Sequence, residues 1–219
     1  YITTQYHKDM ANHVDELLQK QRRVPCKIED VETTTNWNEL NEQQQQACLK
    51  FARNGILLMY GNAGTGKTYT TSFICKYFKF KDICILTPSH VAMNNSVKAL
   101  LKDDFLVSED TENVENQNSE DTENNDRNKK SAKKSAKKKP KLRTLYYGNI
   151  TVTLMTCQRF EFVSKWSGSA YDLIINEEVS MYSHELLVNQ LKTSASILLV
   201  GDVKQLEPIN SCSYPLMDI

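Results

Sequence analysis

Gly61-Asn62-Ala63-Gly64-Thr65-Gly66-Lys67-Thr68 decides how the rest of this chain is read. The stretch has the spacing G-x-x-x-x-G-K-T. It follows the apolar run Ile56-Leu57-Leu58-Met59-Tyr60 and precedes a segment of helical character from Lys67 to about Phe78. Strand, glycine-rich turn and helix in that order form the context in which backbone N–H groups curl around phosphates. The helix start adds the positive end of its dipole. In such a loop Gly61, Asn62, Ala63, Gly64, Thr65 and Gly66 make the cradle. Lys67 reaches the β- and γ-phosphates, and the Thr68 hydroxyl is offered to Mg²⁺. A chance glycine-rich turn explains neither flank.

Working outward, Asn41 is placed to cap a helix running through Ala47, Leu49 and Phe51 and ending near Asn54-Gly55. The run Ile56–Tyr60 reads as a strand buried on both faces. Ile83-Cys84-Ile85-Leu86 is a second such strand, ended by Thr87-Pro88 and followed by a helix through Val91, Val97, Leu100 and Leu101. Residues 150–154, 173–175 and 197–200 are three more strand candidates. Strands alternating with helical patterns predict an α/β fold, a parallel sheet with helices on both faces. Before it, Tyr6–Gln21 carries Met10, Val14, Leu17 and Leu18 at helical spacing, and Pro25 to Asn38 reads as a linker.

One stretch breaks the alternation. The net charge of the 219 residues is zero, but from Ser108 to Asp126 there are eight acidic residues and no basic one. From Arg127 to Arg143 there are ten basic residues and no acidic one. Residues 103–143 have too little apolar content to offset the entropy of ordering them, and are expected to be a disordered charged insert. The expected division is therefore 1–38 as N-terminal helix and linker, 39–102 and 144–219 as two parts of one domain, and 103–143 between them. The basic half admits phosphate-backbone binding or a nuclear address, and equally a solvated insertion neutralised by its acidic half. With 40% hydrophobic and 25% charged residues the composition is that of a globular domain. No apolar stretch reaches the ~20 residues that span a bilayer, so no membrane partner is expected. Six cysteines without C-x-x-C spacing argue against zinc and against a disulfide framework, and suit an intracellular, reducing location. Cys48, Cys75 and Cys84 are expected in the core.

The chemistry needs a carboxylate at the end of a later strand, to hold Mg²⁺ and polarise the attacking water. Asp172-Leu173-Ile174-Ile175-Asn176-Glu177-Glu178-Val179-Ser180-Met181 supplies two, Glu177 and Glu178. Adjacent acids leaving an apolar strand are costly unless a cation is near. A third stretch, Gly201-Asp202-Val203-Lys204-Gln205-Leu206-Glu207-Pro208, follows the last strand candidate and places polar groups at the carboxyl edge of the sheet.

Together these stretches resemble the first motor domain of superfamily-one helicases, in particular the RecD-like and Dda-like 5′-to-3′ DNA helicases. The resemblance spans roughly Leu40 to Pro208 without the insert. Leu40-Asn41-Glu42-Gln43-Gln44-Gln45-Gln46-Ala47 looks like the adenine-reading motif, with Gln44 at the glutamine position. Thr87-Pro88-Ser89-His90-Val91-Ala92-Met93 looks like the motif that grips single-stranded DNA, which marks Ser89 and His90. Thr156-Cys157-Gln158-Arg159-Phe160 sits where the family often has Thr-Ile-His. Glu178-Val179-Ser180-Met181 matches the Walker B continuation, and Gly201-Asp202, Gln205-Leu206 and Pro208 match the motif whose glutamine senses the γ-phosphate. The resemblance implies a RecA-like P-loop NTPase fold, ATP and Mg²⁺ as cofactors and single-stranded DNA as partner. It assigns catalysis to Lys67, Glu178 and Gln205, and metal binding to Thr68 and Glu177.

Two departures temper this. Where the family has Asp-Glu, an ungapped match to Val-Ser-Met places Glu177-Glu178, whereas counting from the apolar strand puts Asn176 at the aspartate position. The ungapped register implies weakened Mg²⁺ use. Second, the family's second motor domain is missing up to Ile219, so this chain alone is expected to bind nucleotide, hydrolyse slowly and not unwind. The start at Tyr1 suits a fragment of a longer protein. A degenerate remnant that binds ATP or DNA without catalysis is the alternative. A different phosphate-loop ATPase, such as an AAA-type remodeller, would need neither the Gln44 motif nor Gly-Asp-x-x-Gln-Leu.

Overall fold

A computed structural model describes residues 12, 13, 16, 32–34, 36–107, 143–167, 171–182, 184–193 and 195–202. Apart from helical Asn12, His13 and Glu16, the expected N-terminal helix lies outside them, as does the stretch 108–142.

The first long helix, α1 (Glu42–Asn54), starts as its sequence dictates. Asn41 Oδ1 accepts from Gln44 N at 3.0 Å and Gln44 Oε1 accepts from Asn41 N at 2.9 Å, a reciprocal cap. Gly55 ends it at φ 66°, in the left-handed region that glycine enters without strain. The chain then passes through β1 (Ile56–Tyr60), α2 (Lys67–Tyr77), β2 (Asp82–Thr87) and α3 (His90–Lys102). It continues as β3 (Leu106–Val107), β4 (Arg143–Tyr147), β5 (Ile150–Thr156), α4 (Cys157–Ser167) and β6 (Leu173–Asn176). A 3₁₀ turn at Val179–Met181, then α5 (His184–Leu191) and β7 (Ser196–Gly201), complete the described chain.

The strands form one seven-stranded sheet in the order β1-β7-β6-β2-β5-β4-β3. The expected parallel arrangement holds from β1 to β5, and β4 and β3 extend the sheet in antiparallel sense. Helices cover both faces. On one, Phe51 of α1, Phe73, Ile74 and Phe78 of α2, and Val97 and Leu100 of α3 share a core with Ile83, Ile85, Leu173, Ile175, Leu198 and Val200. On the other, Leu187, Val188 and Leu191 of α5 join Val179, Tyr182, Ile197 and Leu199, while Phe160 of α4 joins Cys84, Leu86 and Ile174. Two faces covered by apolar side chains leave β1, β2, β6 and β7 with continuous apolar runs, whereas β5, where the sheet turns antiparallel, carries Thr151 and Thr153 between apolar residues.

Three expectations change. β1 is not enclosed: it pairs only with β7 among the described strands, Ile56 to Met59 are partly exposed and Tyr60 is 65% exposed. Its run is apolar because Leu57 and Met59 pack on one core and Ile56 and Leu58 on the other; that pattern reports two covered faces, not a central position. The chain expected as insert from residue 103 instead holds Phe105 in the core, and Leu106 and Val107 pair with Tyr146 and Leu145. At the other end, Arg143 already belongs to β4. Cys48, Cys75 and Cys84 are buried in the core, as expected, and Cys157 joins them. No described helix is long and apolar enough to cross a membrane.

Candidate functional site

The topology brings three loops together at the carboxyl edge of the parallel strands: the one after β1, the one after β7 and the one after β6. Gly61 N donates to Gly201 O at 3.3 Å, tying the first two. The loop from Gly61 to Gly66 then wraps tightly. Thr65 N and Oγ1 both donate to Asn62 O, at 3.4 and 2.9 Å. Gly64 and Gly66 both take φ 81°, a conformation other L-residues enter only with strain. At Gly66 there is a second constraint, because a Cβ there would lie 2.3 Å from Gln44 Nε2.

Lys67 Nζ donates to Gly61 O at 2.6 Å and Asn62 O at 2.8 Å, so its ammonium is folded over the loop. Thr68 follows, exposed, in the first turn of α2. The N-termini of α1 and α3 carry side-chain caps from Asn41 and Ser89, whereas α2 begins on Gly66 with none. The first amides of a helix have no acceptor within it, so α2 presents its N–H groups to the space over the loop. That donor set, with Lys67, fits a polyphosphate.

Across β7 stand the acids. Leu173, Ile175 and then Glu177 fall on the face that carries α2, and Glu177 N extends the ladder by donating to Leu86 O at 2.9 Å. Burial pushes the Glu177 carboxyl up to about 7; the neighbouring Glu178 charge adds to the rise and the Lys67 ammonium opposes it. Burial also raises Glu178. Glu178 itself sits at φ 56°, ψ 43°, one of three non-glycine residues with positive φ among the described residues. Asn176 falls on the opposite face, fully buried, and neither Nδ2 nor Oδ1 has a hydrogen-bond partner among the described residues. Of the two residues between which the sequence left the register open, Glu177 shares the face that carries α2 and Asn176 does not. A carboxylate within electrostatic reach of Lys67 supplies oxygen of the hard type that Mg²⁺ takes.

The remaining sequence candidates divide. Ser89 and His90 lie exposed at the same edge, after β2, but the Ser89 hydroxyl is engaged in capping α3, accepting from Ala92 N at 3.2 Å. Gln44 lies against the loop, its Nε2 donating to Gly66 O at 3.4 Å. Asp202 is buried at the end of β7. Gln205, Leu206 and Pro208 lie outside the described residues. Sequence reading missed the walls of the cavity beside the loop, about 210 Å³, which Lys50, Leu57, Met59 and Tyr60 line together with Gln44 and Lys67. An aromatic side chain directly before Gly61 was the available signal for Tyr60.

A family model described as an AAA domain matches residues 44–211, well over half of the chain. The chain belongs to that family, and its fold is that of a P-loop NTPase domain, a mostly parallel α/β sheet. Two solved structures are similar, arterivirus nonstructural protein 10 (helicase) in complex with DNA and the same arterivirus protein in a crystal structure of its own. Each is 18% identical with a TM-score of 0.42, over 78% of this chain and 34% of theirs. The chain thus spans about a third of the length of those proteins. No curated protein matches it in sequence.

Proposed function

We propose that this chain is a nucleoside-triphosphate-hydrolysing motor domain of a DNA helicase, using ATP and Mg²⁺ and working with single-stranded DNA and a second motor domain. The observation that carries the reading is the approach of Lys67, on an uncapped helix start, to Glu177 at the end of β6, two strands from β1 in the sheet. Lys67 would leave the loop carbonyls for the β- and γ-phosphates, exchanging two neutral acceptors for charged ones. Thr68 and Glu177 would hold the metal, which neutralises charge on the transferring phosphoryl group. Glu178 would orient and deprotonate the attacking water, and its raised affinity for a proton suits it to that task. Ser89 and His90, exposed after β2, would face DNA; since the Ser89 oxygen accepts in the α3 cap, its O–H would still donate to a phosphate. Gln205 would sense the γ-phosphate. A nuclear or other intracellular setting accords with the lysine run and with buried cysteines that form no disulfide among the described residues.

An AAA-type remodeller shares the family description. The order of motifs favours the helicase, since a remodeller needs no Gln44 against its loop. The non-catalytic remnant is favoured by one specific feature, the left-handed Glu178 following a Glu177 that is half protonated near neutrality. Turnover of ATP with Mg²⁺, with and without single-stranded DNA, decides between them. Turnover that DNA stimulates and Lys67→Ala abolishes supports the motor domain. Nucleotide binding that depends on Lys67 but never leads to turnover, even with a second motor domain supplied, supports the remnant. DNA-independent turnover would favour the remodeller.

A further inference from the structure

Eight buried side-chain atoms have no hydrogen-bond partner among the described residues, and four of them fall within residues 176–182: Asn176 Nδ2 and Oδ1, Ser180 Oγ and the Tyr182 hydroxyl. That span is the acidic turn with its two ends, so the concentration is local to Glu177 and Glu178. On the face that carries α4 and α5, Asn176 stands in a row with Leu199 of β7, Leu86 of β2 and Met155 of β5, the one polar side chain among the four. Its amide is fully buried, and a buried amide without a partner is costly. Tyr182 comes to the same place from the other end of the turn. Its ring shares a core with Leu199 and Cys157. Burial raises its hydroxyl well above the ordinary tyrosine range, and Cys157, Glu177, Glu178 and Cys84 are near enough to add to the rise. Leu199 lies on one side of β6 and Cys84 on the other, so the phenol reaches across β6, whose last side chain on that face is Asn176. The Asn176 amide and the Tyr182 hydroxyl therefore border one space without bonding each other.

We infer that Asn176 and Tyr182 hold an internal water beneath the acidic turn, and that this water ties the strand end before Glu177 to the chain after Met181. Water is the ligand such groups select, being small, donor and acceptor at once, and able to meet an amide and a phenol together. No set of three His, Cys, Asp or Glu side chains able to hold a metal ion occurs among the described residues. Glu177 and the left-handed Glu178 lie inside the tied span and are held from behind. The tie belongs to the folded chain and does not depend on nucleotide.

The test is a double-mutant cycle in the full 219-residue chain, read by denaturant unfolding: Asn176→Leu, which keeps the branched shape, Tyr182→Phe, and both together. Each single variant leaves the other group and the water short of a partner, and should lower the folded-to-unfolded ratio roughly tenfold. The double variant removes both polar groups and should lose no more than either single one, where independent sites would lose roughly a hundredfold. Losses that add, or a gain in each single variant, would overturn the shared water. Should Asn176→Leu fail to fold, nuclear magnetic resonance on the parent and Tyr182→Phe decides. The Asn176 side-chain amide should show cross-relaxation with a long-lived water in the parent and lose most of it in Tyr182→Phe. No such signal in the parent, or an equal one in both, sinks the inference. Amide exchange at Met181 and Tyr182 should also quicken in Tyr182→Phe while β2 and β7 stay protected; unchanged exchange there would mean that the water does not tie the turn.

Discussion

The phosphate loop and the acidic turn both leave parallel strands at the same edge of the sheet, and they meet the demands of that geometry in opposite ways. After β1, each position that must enter the left-handed region is glycine, Gly64 and Gly66. After β6, the left-handed position is Glu178, a residue that enters it at a cost of about 1–2 kcal/mol. The loop's sequence is matched to its backbone. On the proposed reading the turn's sequence is matched to its chemistry, with the backbone carrying the strain. Strain retained in this way marks where a side chain's identity matters more than its comfort.

The contrast can be broken at four points. The largest effect is expected at Lys67: the alanine variant should lower turnover by about 100-fold or more, as when one preorganised donor to a developing charge is removed, with melting temperature nearly unchanged. A variant that retains turnover would show that the loop is not where the phosphates sit. Next comes the turn. Glu177 holds a proton in the folded chain up to about pH 7 but releases it near 4.5 when unfolded. Between those values the native state binds more protons, so stability should fall as pH rises through this window, by an amount on the order of 2–3 kcal/mol. Denaturant titrations at pH 5 and pH 8 should show that fall in the parent chain and a much shallower one in Glu177→Gln, where only Glu178 still contributes. Turnover should move oppositely, rising as Glu177 ionises to take Mg²⁺.

The third point separates two glycines with the same φ. Gly66→Ala must strain the backbone and displace Gln44, for roughly 2–3 kcal/mol, while Gly64→Ala has open space for its Cβ and should lose only about 1 kcal/mol. Equal losses would mean that the contact with Gln44 carries no weight. The smallest effect is expected from Glu178→Gly. Relief of the left-handed strain, less the freedom that glycine adds to the unfolded chain, should stabilise by roughly 0.5 kcal/mol. Hydrolysis should be lost in the same variant. A destabilised variant would mean that the turn is held by contacts of the Glu178 side chain and is not strained.

The same two regions show what could be read before the structure. The loop was legible because its spacing, glycines and flanks are all local, and β1, β2, β5, β6 and β7 fall within one or two residues of the apolar runs that foretold them. The acidic turn was legible only as a choice of register, since Asn176 and Glu177 differ by which face of the sheet they take, and facing depends on packing against α2. β3 and β4 went unread: β3 is two residues long, and Arg143-Thr144-Leu145-Tyr146-Tyr147 buries only Leu145, so its pattern dissolved into the lysine run before it. The edge position of β1 could not be read, because a strand covered on two faces looks alike wherever it stands in the sheet. Gln44 was found by resemblance, but its bond to Gly66 joins residues 22 apart and no spacing announces it.

The pairing of Val107 with Leu145 works as a clasp at the far edge of the sheet, at the opposite end of the strand order from β1. The described chain leaves the sheet at β3 and rejoins it at the neighbouring β4. Closing a longer loop costs only about 0.6 kcal/mol for each doubling of its length. The clasp is therefore a port: trimming or lengthening the span 108–142 is expected to leave the pairing of β3 with β4 as it is.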